Sequence, residues 1–171
     1  MIRILFFSCL FSFSCLASTG QFTQLADDQT VTNHLESINL NSSFVFSNND
    51  IVMEKINYYL RNNRKLLSKM LSLSQYYFPI FETYLDKYNL PFELKYLAIV
   101  ESSLNTRAKS QSGARGLWQF MYPTGKAYDL NVTSYVDERL DPYKSTDAAC
   151  RYFLKLYDIF GDWNLVLAAY N

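Results

Sequence analysis

The stretch PFELKYLAIVESS, residues 91–103, joins a helix start, an apolar stripe and a carboxylate. Its leading proline is typical of the first turn of a helix. In a regular helix three apolar residues share one face, namely Leu94, Leu97 and Ala98. Glu101 follows on the same face, where partial loss of water raises the pKa of a carboxyl group. Such a group suits a general acid near neutral pH, unless the helix ends there and Glu101 simply points into water.

Helical periodicity continues upstream of this stretch. Apolar residues recur at helical spacing from Ile51 onwards, and Asn49 or Asp50 is a suitable N-cap. A second helix is predicted over 74–88. Pro79 lies in its first turns, so this helix is expected to start late or to bend there.

Downstream of the glutamate the pattern predicts a polar loop followed by short and long helices. They are a loop over 105–116, short helices over 117–120 and 123–130, a firm helix over 145–160 and a last helix from 162. Ser145 is the predicted N-cap of the firm helix, and Gly161 is predicted to end it. Because alternating strand patterns are hard to find, the predicted fold class is mainly α.

The N-terminus has the layout of a secretory signal peptide over 1–17. Arg3 precedes an uncharged apolar run that is shorter than the roughly 20 apolar residues that a transmembrane helix needs. Cleavage is expected near Ala17, which implies export to the bacterial periplasm or cell envelope. Cys15 leaves open a lipid anchor and outer-membrane association, and a retained membrane anchor or a buried first helix is the alternative to cleavage.

Residues 18–50 are polar and aperiodic, so we expect a loosely ordered lead-in, and we assign no role to His34. Outside the signal region Cys150 is the one remaining cysteine, which excludes a disulfide framework. It lies in an apolar helical stretch and is interpreted as a small buried hydrophobe. The net charge of +0 argues against a nucleic-acid partner.

The segment SGARGLWQFM, residues 112–121, adds features of a sugar site. Gly113 and Gly116 allow a backbone to approach a ligand closely. Gln119 offers a hydrogen-bond donor and acceptor, and Trp118 offers an apolar face. Each feature also has a structural interpretation, since glycine pairs form turns and tryptophan is commonly a core residue.

Four ordered motifs carry a family resemblance: ES at 101–102, S at 110, GARGLWQFM at 113–121 and AAYN at 168–171. Together they resemble the lytic transglycosylases of the soluble lytic transglycosylase, or goose-lysozyme-like, family. The similarity runs from about residue 51 to 171, and its flanking segments are similar to a membrane-bound member in particular. The resemblance implies a lysozyme-like helical domain that acts on peptidoglycan glycan strands. It implies no metal and no cofactor.

The implied reaction cleaves the β-1,4 bond between N-acetylmuramic acid and N-acetylglucosamine and leaves a 1,6-anhydro end. The resemblance makes Glu101 the single catalytic residue, acid first and base second, so the second carboxylate of ordinary glycosidases is not needed. Five positions match family residues that bind the substrate: Ser110, Gln119, Met121, Tyr170 and Asn171. Three other carboxylates are interpreted as loop and cap residues: Asp137, Glu138 and Asp141.

The resemblance also predicts a domain division. Residues 51–89 would form a helical extension that packs on the catalytic domain, and 90–171 the catalytic domain itself. Because the last apolar helix is still running at Asn171, we expect that domain to be C-terminally incomplete. A goose-type hydrolase of the same bond and a non-catalytic glycan-binding module stay open as alternatives.

Overall fold

A computed structural model describes residues 28–171 of the chain. The predicted signal peptide, with Ala17 and Cys15, lies outside the described residues. Within 28–171 the fold is mainly α, as predicted, and β-structure is limited to isolated bridges. None of the helices in this range combines the length and the apolar character that a membrane span needs.

The described residues form seven α-helices and two short 3-10 helices. The α-helices are α1 (Asp28–Asn39), α2 (Asp50–Arg61), α3 (Arg64–Lys87), α4 (Leu97–Ser102), α5 (Tyr122–Ala127), α6 (Pro142–Phe160) and α7 (Trp163–Tyr170). The 3-10 helices are Phe92–Tyr96, directly before α4, and Glu138–Leu140, directly before α6. The chain divides into two compact units, one up to Ser72 and one from Leu73.

The first unit is more regular than the expected loose lead-in. Helix α1 lies inside that segment and buries Val31 and Leu35, which are one helical turn apart. Two apolar positions in a polar stretch are too few to show a period in the sequence. The side chain of Asn39 then accepts from the N–H of Phe46 and donates to its carbonyl, both at 2.7 Å. Asn49 caps α2 by accepting from a backbone N–H at 3.0 Å, as predicted.

Helix α3 begins at Arg64 and continues through Pro79, so the predicted start at residue 74 and the late start at the proline are both wrong. A proline removes one N–H from the helix ladder and crowds the carbonyl four residues earlier, here that of Gln75. Both residues are exposed, so water can hydrogen-bond the carbonyl that the helix leaves without its partner. Phe81 and Leu85 follow on the buried face, and their burial stabilises the helix beyond the proline.

The second unit has its core around Trp118, whose side chain is fully buried. The indole ring contacts Phe81 and Phe153, with centroid distances of 5.0 and 5.8 Å. Its N–H donates to the hydroxyl of Thr146 at 3.0 Å, so the buried polar atom is satisfied. Cys150 is fully buried, as expected, and burial raises the pKa of its thiol to about 12.

Helix α6 starts earlier than predicted, because Asp141 rather than Ser145 is its N-cap. The Asp141 carboxylate accepts from the N–H groups of Tyr143 and Lys144, both at 2.9 Å. Ser145 is buried, and its hydroxyl donates back to the Asp141 carbonyl at 2.5 Å. Gly161 ends the helix with a φ of 63°, as predicted.

Candidate functional site

Glu101 lies in the last turn of α4, directly after a buried stripe. Leu97 and Ala98 of the same helix are buried, and Glu101 itself is half-buried. The helix stops immediately afterwards, because Ser103 and Leu104 both adopt left-handed backbone with φ of 52° and 61°. The stretch before α4 is a 3-10 helix and not the regular helix that was predicted. The apolar stripe nevertheless leads to the carboxylate as expected.

Ser102 connects this helix end to the loop that follows. Its hydroxyl donates to the carbonyl of Ala98 at 2.8 Å, one turn back, and lies 3.0 Å from the carbonyl oxygen of Leu117. The first contact gives this serine a role at the helix end. The second contact gives it a further one, since it ties the turn that carries Glu101 to the backbone of another segment.

That segment, 113–120, is a closed loop, and the short helix predicted over 117–120 is wrong. Arg115 and Phe120 exchange two backbone hydrogen bonds at 3.0 and 3.1 Å, which close a four-residue turn between them. Gln119, the last residue of this turn, has a φ of 48°. Its amide donates to the carbonyl of Gly116 at 2.8 Å, so the side chain braces the turn that it belongs to.

Tyr170, the last residue of α7, bonds to the loop and interacts electrostatically with Glu101. Its hydroxyl donates to the carbonyl of Trp118 at 2.8 Å. Burial, together with the negative charge of Glu101, raises the pKa of Tyr170 well above its usual value. The hydroxyl therefore keeps its proton throughout the ordinary pH range and stays a donor. The structure brings together Glu101, Tyr170 and the backbone beside Gln119.

The other predicted site residues form contacts elsewhere or are exposed to solvent. Ser110 forms its hydrogen bonds within its own turn, to Ser112 at 2.9 Å and from the Ala114 N–H at 3.0 Å. Met121 is exposed at the start of α5, and Asn171 is exposed at the end of α7. These contacts do not join the three residues to Glu101.

Three other acidic residues have structural roles. Asp137 and Asp141 cap the second 3-10 helix and α6, as interpreted from the sequence. Glu138 accepts from the Asn131 N–H at 2.8 Å and pairs with Lys144. Across the described part of the chain, no cluster of histidine, cysteine or carboxylate side chains is arranged to hold a metal ion.

Sequence reasoning missed Arg139, because no pattern singles it out. It is buried although it is charged. Its side chain contacts the 113–120 loop, which is distant from it in sequence. No local pattern marks it, because its partners lie 19 and 26 positions upstream. The glycine pair at Gly113 and Gly116 was the one available signal for a close backbone approach.

Comparison with known proteins agrees with the motifs. The family model for the transglycosylase SLT domain matches residues 78–171. Membrane-bound lytic murein transglycosylase D of Escherichia coli K12 is 40% identical over 124 residues, which cover 72% of this chain and 27% of the relative. A putative tributyltin chloride resistance protein of an Alteromonas species is 37% identical over 90 residues, covering 52% of this chain and 44% of that protein. The chain thus spans about a quarter to under half the length of these relatives.

Proposed function

The chain belongs to the transglycosylase SLT family, and on that premise we propose that the protein is a peptidoglycan lytic transglycosylase. It cleaves the β-1,4 bond between N-acetylmuramic acid and N-acetylglucosamine and leaves a 1,6-anhydro end. The observation that carries the proposal is the half-buried Glu101 at the end of an apolar stripe, in electrostatic contact with Tyr170. The name of the Escherichia coli relative, a lytic murein transglycosylase, supports the same activity.

In the first step Glu101 acts as a general acid. Its protonated carboxyl gives a proton to the bridging oxygen while the bond from that oxygen to the muramoyl C1 breaks. The raised pKa predicted from the sequence would keep a protonated fraction available near neutral pH. That pKa stays a prediction.

In the second step the same residue acts as a base. The Glu101 carboxylate takes the proton from the muramoyl 6-hydroxyl, whose oxygen bonds to C1 and closes the anhydro ring. Glu101 is protonated again at the end, and no water is consumed. The structural roles of Asp137, Glu138 and Asp141 support a mechanism with one carboxylate, since glycosidases of the hydrolytic kind use two.

The remaining site residues are proposed to bind the glycan strand. Tyr170 would present a protonated hydroxyl beside Glu101 and hold the loop at Trp118. Gln119 and Met121 would line the groove beside it. Ser110 and Asn171 keep their proposed binding roles from the family motifs.

We place the protein in the cell envelope, where its substrate is found. Export by the N-terminal signal and a lipid anchor at Cys15 belong to the same proposal, which the membrane-bound Escherichia coli relative supports. The division into an extension over 51–89 and a catalytic domain from residue 90 is likewise proposed. The start of the family match at residue 78 supports a catalytic domain in the C-terminal part.

Mass spectrometry of digested peptidoglycan tests the activity. The complete protein is incubated with purified sacculi, and we expect muropeptides with anhydro ends, each lighter by one water than the hydrolytic product. Reducing ends without anhydro products would contradict the proposal and indicate a hydrolase. Binding to sacculi without any cleavage would instead indicate a glycan-binding module.

The role of Glu101 is tested by Glu101→Gln, which keeps the shape and removes the titrating proton. We expect kcat to fall by at least about 10²- to 10⁴-fold, the usual contribution of general acid–base catalysis. The matched control is Glu93→Gln in the preceding 3-10 helix, which should leave turnover unchanged. Unchanged turnover in folded Glu101→Gln would refute the assignment.

A further inference from the structure

All three nitrogens of the Arg139 guanidinium donate hydrogen bonds. One nitrogen donates to two backbone carbonyls of the loop, those of Gly113 and Phe120, each at 3.2 Å. The other two nitrogens donate to the two carboxylate oxygens of Asp137 at 2.9 and 2.8 Å. Only 6% of the Arg139 side chain is exposed. Burying a cation costs free energy unless it is paired and hydrogen-bonded. The loop carbonyls therefore help to offset the cost of burying Arg139.

The backbone of Arg139 also contacts the loop. A Cβ atom placed on Gly116 would come within 1.9 Å of the Arg139 carbonyl oxygen. Gly116 has a φ of 84°, a conformation that other residues rarely adopt. The loop is therefore held against Arg139 twice, by the side chain at its two ends and by the backbone in its middle.

Two carbonyls in the middle of the loop contact the elements that carry the proposed site residues. The Leu117 carbonyl oxygen lies 3.0 Å from the Ser102 hydroxyl, next to Glu101. The Trp118 carbonyl accepts from Tyr170. Two successive carbonyls thus fix the end of α4 and the end of α7 to one turn, so a shift of the turn moves both.

We propose that Arg139 is a positioning residue of the glycan site: it holds the 113–120 loop in the one place where Glu101 and Tyr170 are correctly spaced. It touches no substrate and acts through the loop backbone. The inference rests on the proposed function and adds a residue to it. A loss of turnover in a variant that still folds distinguishes this role from a contribution to stability alone.

The chemistry of arginine makes the test specific. A planar guanidinium reaches two carbonyls and both oxygens of a carboxylate at once, whereas a lysine ammonium is a point charge with three donors. Arg139→Lys keeps the charge that Asp137 needs but cannot reproduce this pattern. The matched control is Arg151→Lys, since Arg151 also pairs with two aspartates, Asp129 and Asp147, away from the loop.

The experiment measures kcat and KM of the complete protein on soluble glycan strands, with folding checked by circular dichroism. We expect folded Arg139→Lys to lose about 10- to 100-fold in kcat/KM, the size of effect that a small misplacement of catalytic groups causes. Arg151→Lys should stay close to the wild type. Folded Arg139→Lys with unchanged kcat and KM would overturn the proposal.

Two further measurements keep the test decisive. If Arg139→Lys does not fold, Asp137→Asn takes its place, because the amide keeps the shape and one acceptor oxygen. Amide hydrogen exchange should then show faster exchange in 114–120 than in the wild type, with α6 unchanged; no change in the loop would overturn the proposal. If the wild type itself cleaves nothing, the proposed function fails, while hydrogen exchange still tells whether Arg139 orders the loop.

Discussion

Helix α6 and the 113–120 loop lie in the same unit but are held in different ways. Both ends of the helix are defined by adjacent residues, Asp141 before it and Gly161 after it. The loop is defined by Arg139 and by two hydroxyl groups, those of Ser102 and Tyr170, all distant in sequence. Adjacent residues thus define the ends of this helix, while contacts between distant segments define the loop beside the candidate site.

The strongest way to break the loop is to replace Gly116 by alanine. The φ of 84° and the 1.9 Å approach to the Arg139 carbonyl oxygen combine strain with overlap against backbone. We expect the free energy of unfolding to fall by about 3 kcal/mol or more. Urea unfolding of the complete protein measures this loss.

The matched control is Gly113→Ala at the start of the loop. Its φ of 91° is similar, but an added Cβ would meet no atom within 4 Å. Backbone strain alone should cost about 1 to 2 kcal/mol. Equal losses at the two glycines would show that the close approach to Arg139 contributes nothing.

An acid titration tests how much the Asp137 carboxylate stabilises the protein through Arg139. The hydrogen bond from Arg139 is the main cause that holds the pKa of this carboxyl below its usual value. The stabilisation is therefore complete above the unfolded pKa of about 3.9 and is lost as the pH falls through the lower folded value. At pH 7 we expect Asp137→Asn to lose about 1.5 to 3 kcal/mol, typical of a hydrogen bond to a charged group.

Thermal unfolding at several pH values checks this expectation. The difference between wild type and Asp137→Asn should shrink as the pH falls below about 4. Asp129→Asn serves as the control, because Asp129 pairs with Arg151 at an exposed position and should cost less than about 1 kcal/mol. A difference that stays constant down to low pH would contradict the assigned role of the carboxylate.

The smallest effect is expected at the start of α6. Asp141→Ala removes the N-cap and should cost about 1 kcal/mol. Ser145→Ala should cost less, because the Asp141 carbonyl also accepts the Ser145 backbone N–H at 3.0 Å. Chemical denaturation measures the loss of stability in both variants. A larger loss in Ser145→Ala than in Asp141→Ala would indicate that Ser145 is the N-cap.

The frame could be predicted largely from sequence because its signals are local. Asn49 caps the start of α2 and Gly161 ends α6, as expected. The mistakes arose where a second local signal competed. Ser145 is a good cap residue, but the preceding Asp-Pro pair takes that role. Pro79 suggested a helix start, yet the apolar residues that follow it continue the same helix.

The site could be predicted only in part. Glu101 followed from helical spacing, and Tyr170 from the family motif, and the two do lie close enough to interact. The segment 117–120, which is mostly apolar and has no glycine, was predicted as a short helix but belongs to a turn. Its closure depends on Arg115 and Phe120 pairing, and its location depends on Arg139. Neither contact leaves a local pattern to recognise.

The hydrogen bond between Tyr170 and the Trp118 carbonyl bridges 52 positions of the chain. A contact between segments this far apart forms slowly, because closing the intervening chain costs conformational entropy before the contact stabilises the fold. During synthesis the loop and Glu101 leave the ribosome well before Tyr170 does. A nascent chain therefore presents Glu101 before Tyr170 exists, and the candidate site is completed only after α6 and α7 have been made and Tyr170 has bonded to the Trp118 carbonyl.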